Sequence, residues 1–218
     1  MLMLIKLALI FSMGLVQPGQ VWGTIGTKIP AQNRPWISLA ISHCPHHGRG
    51  RKVDPQMLKQ LLDAEVAVGV PRRFRGMSLA KACIETGFQA DKEGDCWRAD
   101  GSCYAKGIIQ LWPWADKYVD RLDPVASVQF FLERIKLGAK TKVLKFCPGV
   151  KGSDARWKVA WLRVNRGPHR RNKGGKRVAR CGGVPPHGLT QLRKWQKLRA
   201  WKIGASYEAL SVLQRTTL

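Results

Sequence analysis

Between Asp54 and Gly69 the apolar residues Met57, Leu58, Leu61, Leu62, Val66 and Val68 recur at helical spacing. Asp54 stands where an N-cap accepts from the first-turn amides, and Pro55 takes the first helical position, where its missing N–H costs nothing. The pattern predicts a helix that stops near Gly69, ahead of Pro71. A second helix is predicted from Met77 to Thr86. It is apolar nearly all round, with Lys81 the only charge before Glu85, so it belongs in a core, and Gly87 is its expected C-cap. Asp123-Pro124 repeats the start signal, and Val125, Val128, Phe131, Leu132 and Ile135 share one stripe. Trp157, Ala160, Trp161 and Val164 mark a fourth helix. A last helix near Leu189 to Ile203 carries Leu192, Trp195, Leu198 and Trp201 on one face, with Arg193, Lys194, Lys197, Arg199 and Lys202 elsewhere. No strand or hairpin period of similar strength occurs, so the expected class is mainly α.

The segments between these helices divide the chain. Behind Lys6, an apolar run from Leu7 to Val16 is followed by small or tolerated residues at Val21 and Gly23, the layout of an export signal cleaved after Gly23. Gln17, Pro18 and Gly19 interrupt the run short of the ~20 apolar residues that span a bilayer. Residues 24–52 are rich in Gly, Pro and basic side chains without a sustained period, and read as a basic linker or arm. The stretch from Arg166 to Gly183 is basic and Gly-rich and reads as a loop. The expected layout is a signal peptide over 1–23, the arm over 24–52, a helical domain over 53–170, and a basic loop with a C-terminal helix over 171–218.

Charge changes the picture more than composition does. The 44% hydrophobic and 24% charged shares are ordinary for a globular chain of 218 residues. Lys and Arg number 38 against 14 acidic residues, for a formal net charge of +24. Such a field attracts polyanions and opposes self-association, so anionic partners and a monomer are expected. From Arg134 to Lys202 there are 21 basic residues and a single acidic one, Asp154.

Six cysteines in an exported chain point to as many as three disulfides. Cys96 and Cys103 flank a short segment containing Asp100 and Gly101, which suits a stapled loop; the partners of Cys44, Cys83, Cys147 and Cys181 stay open. His43, Cys44, His46 and His47 are four possible metal ligands within five residues. Ligands so close together rarely complete a tetrahedral site, so a disulfide from Cys44 and no metal are expected. No cofactor is expected either.

Glu85 is a carboxylate at the end of an otherwise oily helix. Partial desolvation and the negative end of the helix dipole would both raise its pKa, which suits a general acid that protonates a glycosidic oxygen. The same pattern also fits a Glu that bends to water at a helix end. Gln110, within Gly107-Ile108-Ile109-Gln110-Leu111, is an amide among apolar neighbours, so it either satisfies backbone groups or faces a groove that takes a polar ligand. Gly107 permits close backbone approach. Asn165-Arg166-Gly167-Pro168 follows the Trp161 helix and by itself is an ordinary helix terminus.

In order, Gly69-Val70-Pro71, Leu79 through Glu85-Thr86-Gly87-Phe88, Gly107-Ile108-Ile109-Gln110, Asp123-Pro124 with its helix, and Asn165-Arg166-Gly167-Pro168 resemble the soluble lytic transglycosylases and the related goose-type lysozymes. The resemblance runs from about Asp54 to Pro168. It implies a lysozyme-like helical domain over 53–170 with a basic helical extension. Glu85 would be the catalytic acid, Thr86 would stand where the family has Ser, Gln110 would contact sugars, and Asn165 and Gly167 would match the family's Asn and Gly. Val164 replaces the family's Tyr. The gap from Glu85 to Gln110 is longer than usual by the Cys96 to Cys103 loop, on which Tyr104 or Trp97 could rim a groove.

The implied reaction cleaves the β-1,4 bond between N-acetylmuramic acid and N-acetylglucosamine in peptidoglycan glycan strands, leaving 1,6-anhydromuramoyl ends. One Glu serves as acid and base because the substrate's own 6-hydroxyl attacks. A goose-type hydrolase would want a second carboxylate, for which Asp91, Glu93, Asp95 and Asp100 are near in sequence. A non-catalytic cationic protein that binds cell wall is the remaining alternative. The basic C-terminal half could also meet anionic wall polymers or a membrane surface. Export to the periplasm or the exterior argues against nucleic acid as partner.

Overall fold

The computed structural model describes residues 32–46, 52–96, 100–182 and 185–200. Its elements in order are α1 (Arg34–His43), α2 (Pro55–Val68), α3 (Met77–Thr86), β1 (Glu93–Gly94), β2 (Ala105–Lys106), α4 (Pro124–Lys140), α5 (Lys142–Phe146), α6 (Ser153–Arg166), β3 (His169–Arg171), β4 (Arg177–Ala179) and α7 (189–200). β1 pairs antiparallel with β2, and β3 with β4. The class is mainly α. The predicted helix starts hold for a local reason. Asp54 accepts from Gln56 N at 2.8 Å, and Asp123 from Val125 N and Ala126 N at 2.8 and 2.9 Å, which satisfies amides that have no partner inside the helix. Gly69 and Gly87 close α2 and α3 in the left-handed conformation, where a side chain would be strained.

α3 is the buried centre: Met77, Leu79, Ala80, Ala82 and Cys83 are wholly inaccessible. α4 packs against both α2 and α6, and the Trp161 ring meets Phe74 edge-on at 6.4 Å. The first turn of α3 has no side-chain cap of its own. Glu65, on α2 and fully buried, supplies one: it accepts from Gly76 N and Ser78 N at 2.7 Å each and from Ser78 Oγ at 2.6 Å. Burial pushes the Glu65 carboxyl up to about 7, against the pull of its Ser78 and Gly76 hydrogen bonds.

Three expectations change. The arm over 24–52 contains α1, whose Trp36, Ile37, Leu39 and Ala40 are buried; Pro35 lies in its first turn, so a proline that looks like linker chemistry is a helix start. The Arg166 to Gly183 loop contains the β3–β4 hairpin. The separate C-terminal extension gives way to one core, because Leu189, Leu192 and Trp195 of α7 are buried, and Gln191 Nε2 and Trp195 Nε1 donate to His43 O at the end of α1, at 3.0 and 3.3 Å. Both ends of the described chain therefore close on the same core. The expected export signal over 1–23, His47, Trp97, Trp201 and Lys202 lie outside the described residues.

Cys96 bonds Cys103, and the open pairs resolve as Cys44–Cys83, which ties α1 to α3, and Cys147–Cys181, which ties the end of α5 to the end of the β3–β4 hairpin. No described cysteine is free. Three disulfides are compatible with folding in an oxidising compartment. Among the described residues no helix is long and apolar enough to cross a membrane.

Candidate active site

The last turn of α3 delivers Glu85 to the edge of the core, its side chain 18% exposed. Oε1 lies 2.5 Å from Lys81 Nζ, one turn earlier on the same helix, and 3.1 Å from His187 Nδ1. The Lys81 side chain is almost entirely enclosed, with its ammonium 5.8 Å from the centre of the buried Phe131 ring. Desolvation does push the Glu85 carboxyl upward, as the apolar helix implies. The Lys81 ammonium, with His187 adding to it, outweighs that push and holds the carboxyl below its ordinary value. The expectation of a raised pKa is therefore corrected. The pattern on one helix face revealed burial, yet the cation that burial brings into contact decides the sign.

His187 is held from the other side. Arg166 Nη2 lies 2.9 Å from its Nε2, and because a guanidinium can only donate, Nε2 accepts and the ring proton sits on Nδ1, facing Glu85. Asn165, in the amide orientation that gives its oxygen donors, accepts from Trp161 Nε1 at 3.2 Å and from His187 N at 3.1 Å. The expected sugar-binding Asn165 thus fixes the backbone of a residue that touches Glu85. Gly188 lets this happen: at φ +84 it packs on α3, where a Cβ would come within 3.0 Å of Lys81 N.

The segment with the glutamine is also brought to α3. Thr86 Oγ1 is 2.9 Å from Ile108 O and 3.0 Å from Ala82 O, and Thr86 is buried. A hydroxyl so enclosed cannot reach a ligand, so Thr86 is corrected from a substrate contact to a clamp between α3 and the 107–111 turn. Gln110 Nε2 donates to Lys92 O and Gly107 O, both at 2.9 Å, which uses both amide protons on the backbone and leaves its Oε1 as the atom through which it would meet a ligand. Gly107 serves protein packing, since a Cβ there would run into the Arg121 carbonyl oxygen. Arg121 is buried and donates to Tyr104 O and Leu111 O at 2.7 and 2.9 Å while pairing with Asp116. It staples the loop from inside.

Tyr104 packs against Trp112 with ring centres 5.6 Å apart, and Trp112 is 47% exposed, so this pair forms an aromatic edge beside the turn. Trp114 and Tyr118 flank Phe130 at 5.8 and 5.7 Å, with Arg134 over Trp114 at 5.4 Å. A hollow of about 380 Å³ lined by Val53, Gly87, Phe88, Gln89 and Asp91 lies past the end of α3. Glu85 does not line it, so the chemistry of the site and this hollow are separate features. Glu93 is held by Lys106 at 2.6 Å, and Asp100 accepts from Ser102 N at 2.9 Å; neither is a partner of Glu85. No group of three or more His, Cys, Asp or Glu side chains suited to a metal exists among the described residues.

His187, Arg166 and Arg121 were not legible as site residues. His187 is 102 positions from Glu85, and its only local signal is a glycine after a histidine in a Pro-rich turn. Chemically, the arrangement can hold a partly accessible carboxylate, ionised at rest, between a buried ammonium and an oriented imidazole N–H. No family model, curated protein or solved structure matches this chain.

Proposed function

We propose that the chain is a peptidoglycan lytic transglycosylase, exported to the periplasm or exterior, which cleaves the β-1,4 bond between N-acetylmuramic acid and N-acetylglucosamine. The observation that carries this reading is the Glu85 carboxylate itself, 18% exposed at the end of a core helix and bound by His187 from a distant segment. The order of Glu85, the 107–110 turn and Asn165, which resembles the transglycosylase pattern, supports it, as do the three disulfides and the net charge of +24. Glu85 gives its proton to the leaving oxygen as the C1–O4 bond breaks. The muramoyl 6-hydroxyl then attacks C1 and returns a proton to Glu85, so no water is consumed and the product is a 1,6-anhydro end.

The Lys81 pair sets a condition on this sequence. Glu85 is ionised at rest, so it must take up a proton before the first step, and a glycan that covers the exposed edge supplies added desolvation in that direction. The lytic route is preferred to goose-type hydrolysis because none of Asp91, Glu93, Asp95 and Asp100 falls in a motif that matches the family's second carboxylate.

The same ion pair favours a second reading, a non-catalytic wall-binding protein, and Val164 in place of the family Tyr points the same way. Digestion of purified sacculi separates the two. The enzyme releases muropeptides with anhydro ends by mass spectrometry, and Glu85→Gln releases none. A protein that sediments with sacculi and frees nothing is the binder, and reducing ends in place of anhydro ends identify a hydrolase.

A further inference from the structure

The β3–β4 hairpin begins three residues after Arg166, whose guanidinium touches His187. Every residue from Arg170 to Arg177 is exposed, and five of these eight are Arg170, Arg171, Lys173, Lys176 and Arg177. None of these cations pairs with a carboxylate among the described residues. Asp154, the one acid in the basic half, sits 3.5 Å from Arg73. Arg171 and Arg177 are directly opposed across the two strands. Like charges at that position destabilise a hairpin, so the fold carries a local cost that no internal anion offsets.

The hairpin is nevertheless tied down. Asn172 Oδ1 accepts from Lys176 N at 2.9 Å and closes the turn, Arg180 donates to Gly167 O and His169 O at 3.2 and 3.0 Å, and Cys181 is bonded to Cys147. Arg171 Nη1 donates to Gly175 O at 3.1 Å, and the cross-strand register sets Arg177 beside it, so two arginines on a tied-down base can offer their remaining N–H groups to anions that accept in a bidentate manner, such as carboxylates. The exposed stretch from 170 to 177 holds no apolar side chain to enter a bilayer and no aromatic ring on which a nucleobase could stack.

We propose that the β3–β4 hairpin is a polyanion-binding arm that grips the carboxylates carried by the stem peptides of the wall polymer on which Glu85 acts. The choice of polymer rests on the function proposed above. The arm starts at the wall of the site, so a strand held there is anchored beside Glu85 by charge rather than by its sugars.

The test uses the Glu85→Gln full chain, so that binding is read without cleavage. Co-sedimentation is measured with native sacculi, with sacculi whose carboxylates have been converted to neutral amides by carbodiimide coupling, and with phosphatidylglycerol vesicles. Native sacculi should bind, amidated sacculi should bind at least tenfold more weakly, and Arg171→Gln with Arg177→Gln should lose roughly tenfold on native sacculi. The melting temperature of that double variant should not fall, because the like-charge pair is gone. Lys173→Gln with Lys176→Gln, in the turn, should weaken binding in the same sense. Equal binding to native and amidated sacculi overturns the proposal. So does a double arginine variant that loses vesicle binding and keeps sacculus binding. Carboxylate-dependent binding by a wild-type protein that releases no muropeptides upholds the arm and removes the enzyme.

Discussion

Lys81 and Glu85, one turn apart on α3, form an ion pair of 2.5 Å at the edge of the core, and the lysine is the more deeply enclosed partner. Burial pulls the Lys81 ammonium below its ordinary value, and the Glu85 charge restores it only in part. The pair thus sets the resting charge of the proposed catalytic group.

Replacing Lys81 with Met should leave the desolvation of Glu85 unopposed by the ammonium and move its pKa upward. Removing one partner of an enclosed pair typically costs about 3 kcal/mol. In the native chain a lowered carboxyl pKa contributes stability above its unfolded value, which is lost as pH falls through the folded one. In Lys81→Met the sign reverses, and stability is lost as pH rises. Thermal melts across acidic to neutral pH check the reversal; an unchanged pH profile would show that the pair does not govern Glu85.

If Glu85 is the acid proposed above, His187→Ala should lower muropeptide release roughly tenfold, the scale of one charge-assisted hydrogen bond to that carboxylate. Its side chain is 46% exposed, so the melting temperature should move by less than about 3 °C. Release kinetics and a melt on the same preparation read both effects.

Glu65 titrates with the opposite sign to Glu85. Its folded pKa of about 7 lies above the unfolded carboxylate value, so its contribution is full below the unfolded pKa and is lost as pH rises through about 7. The loss amounts to about 3 kcal/mol across that window. Glu65→Gln removes the titration and sets an amide N–H₂ against a backbone N–H at the start of α3, so it should be less stable at acidic pH and flatter with pH. Urea unfolding at acidic and mildly alkaline pH measures both.

The Cys44–Cys83 bond closes a sequence separation of 39, and replacing both with Ser should cost roughly 4 kcal/mol. The loss should show as proteolysis at α1, because that helix is then held only by packing and by the Gln191 and Trp195 hydrogen bonds to His43 O. Equal protease resistance in the double variant would mean that Trp36, Ile37 and Leu39 suffice.

The starts of α2 and α4, the stop of α3 at Gly87 and the Cys96–Cys103 staple were legible in the chain because each depends on groups within a few residues of one another. Asp54 and Asp123 cap amides two or three positions on, and the oily face of α3 announces its burial. The location of Glu85 at the end of that helix follows from the same local rules.

Packing between distant segments set the rest. A helix face states that Glu85 is enclosed but not that His187 closes on it, since that contact needs Gly188 to seat on α3 and Asn165 to hold the turn. Gln110 and Thr86 fit a sugar contact or a backbone clamp equally well by type, and the clamp each makes depended on whether Lys92, Gly107 and Ile108 carbonyls lay within reach. α1 and α7 joined the core for the same reason: a short apolar stripe has no defined partner until the chain folds back upon it. Locally encoded capping and periodicity place the carboxylate on its helix, whereas its charge depends on cations and hydrogen bonds assembled across the fold.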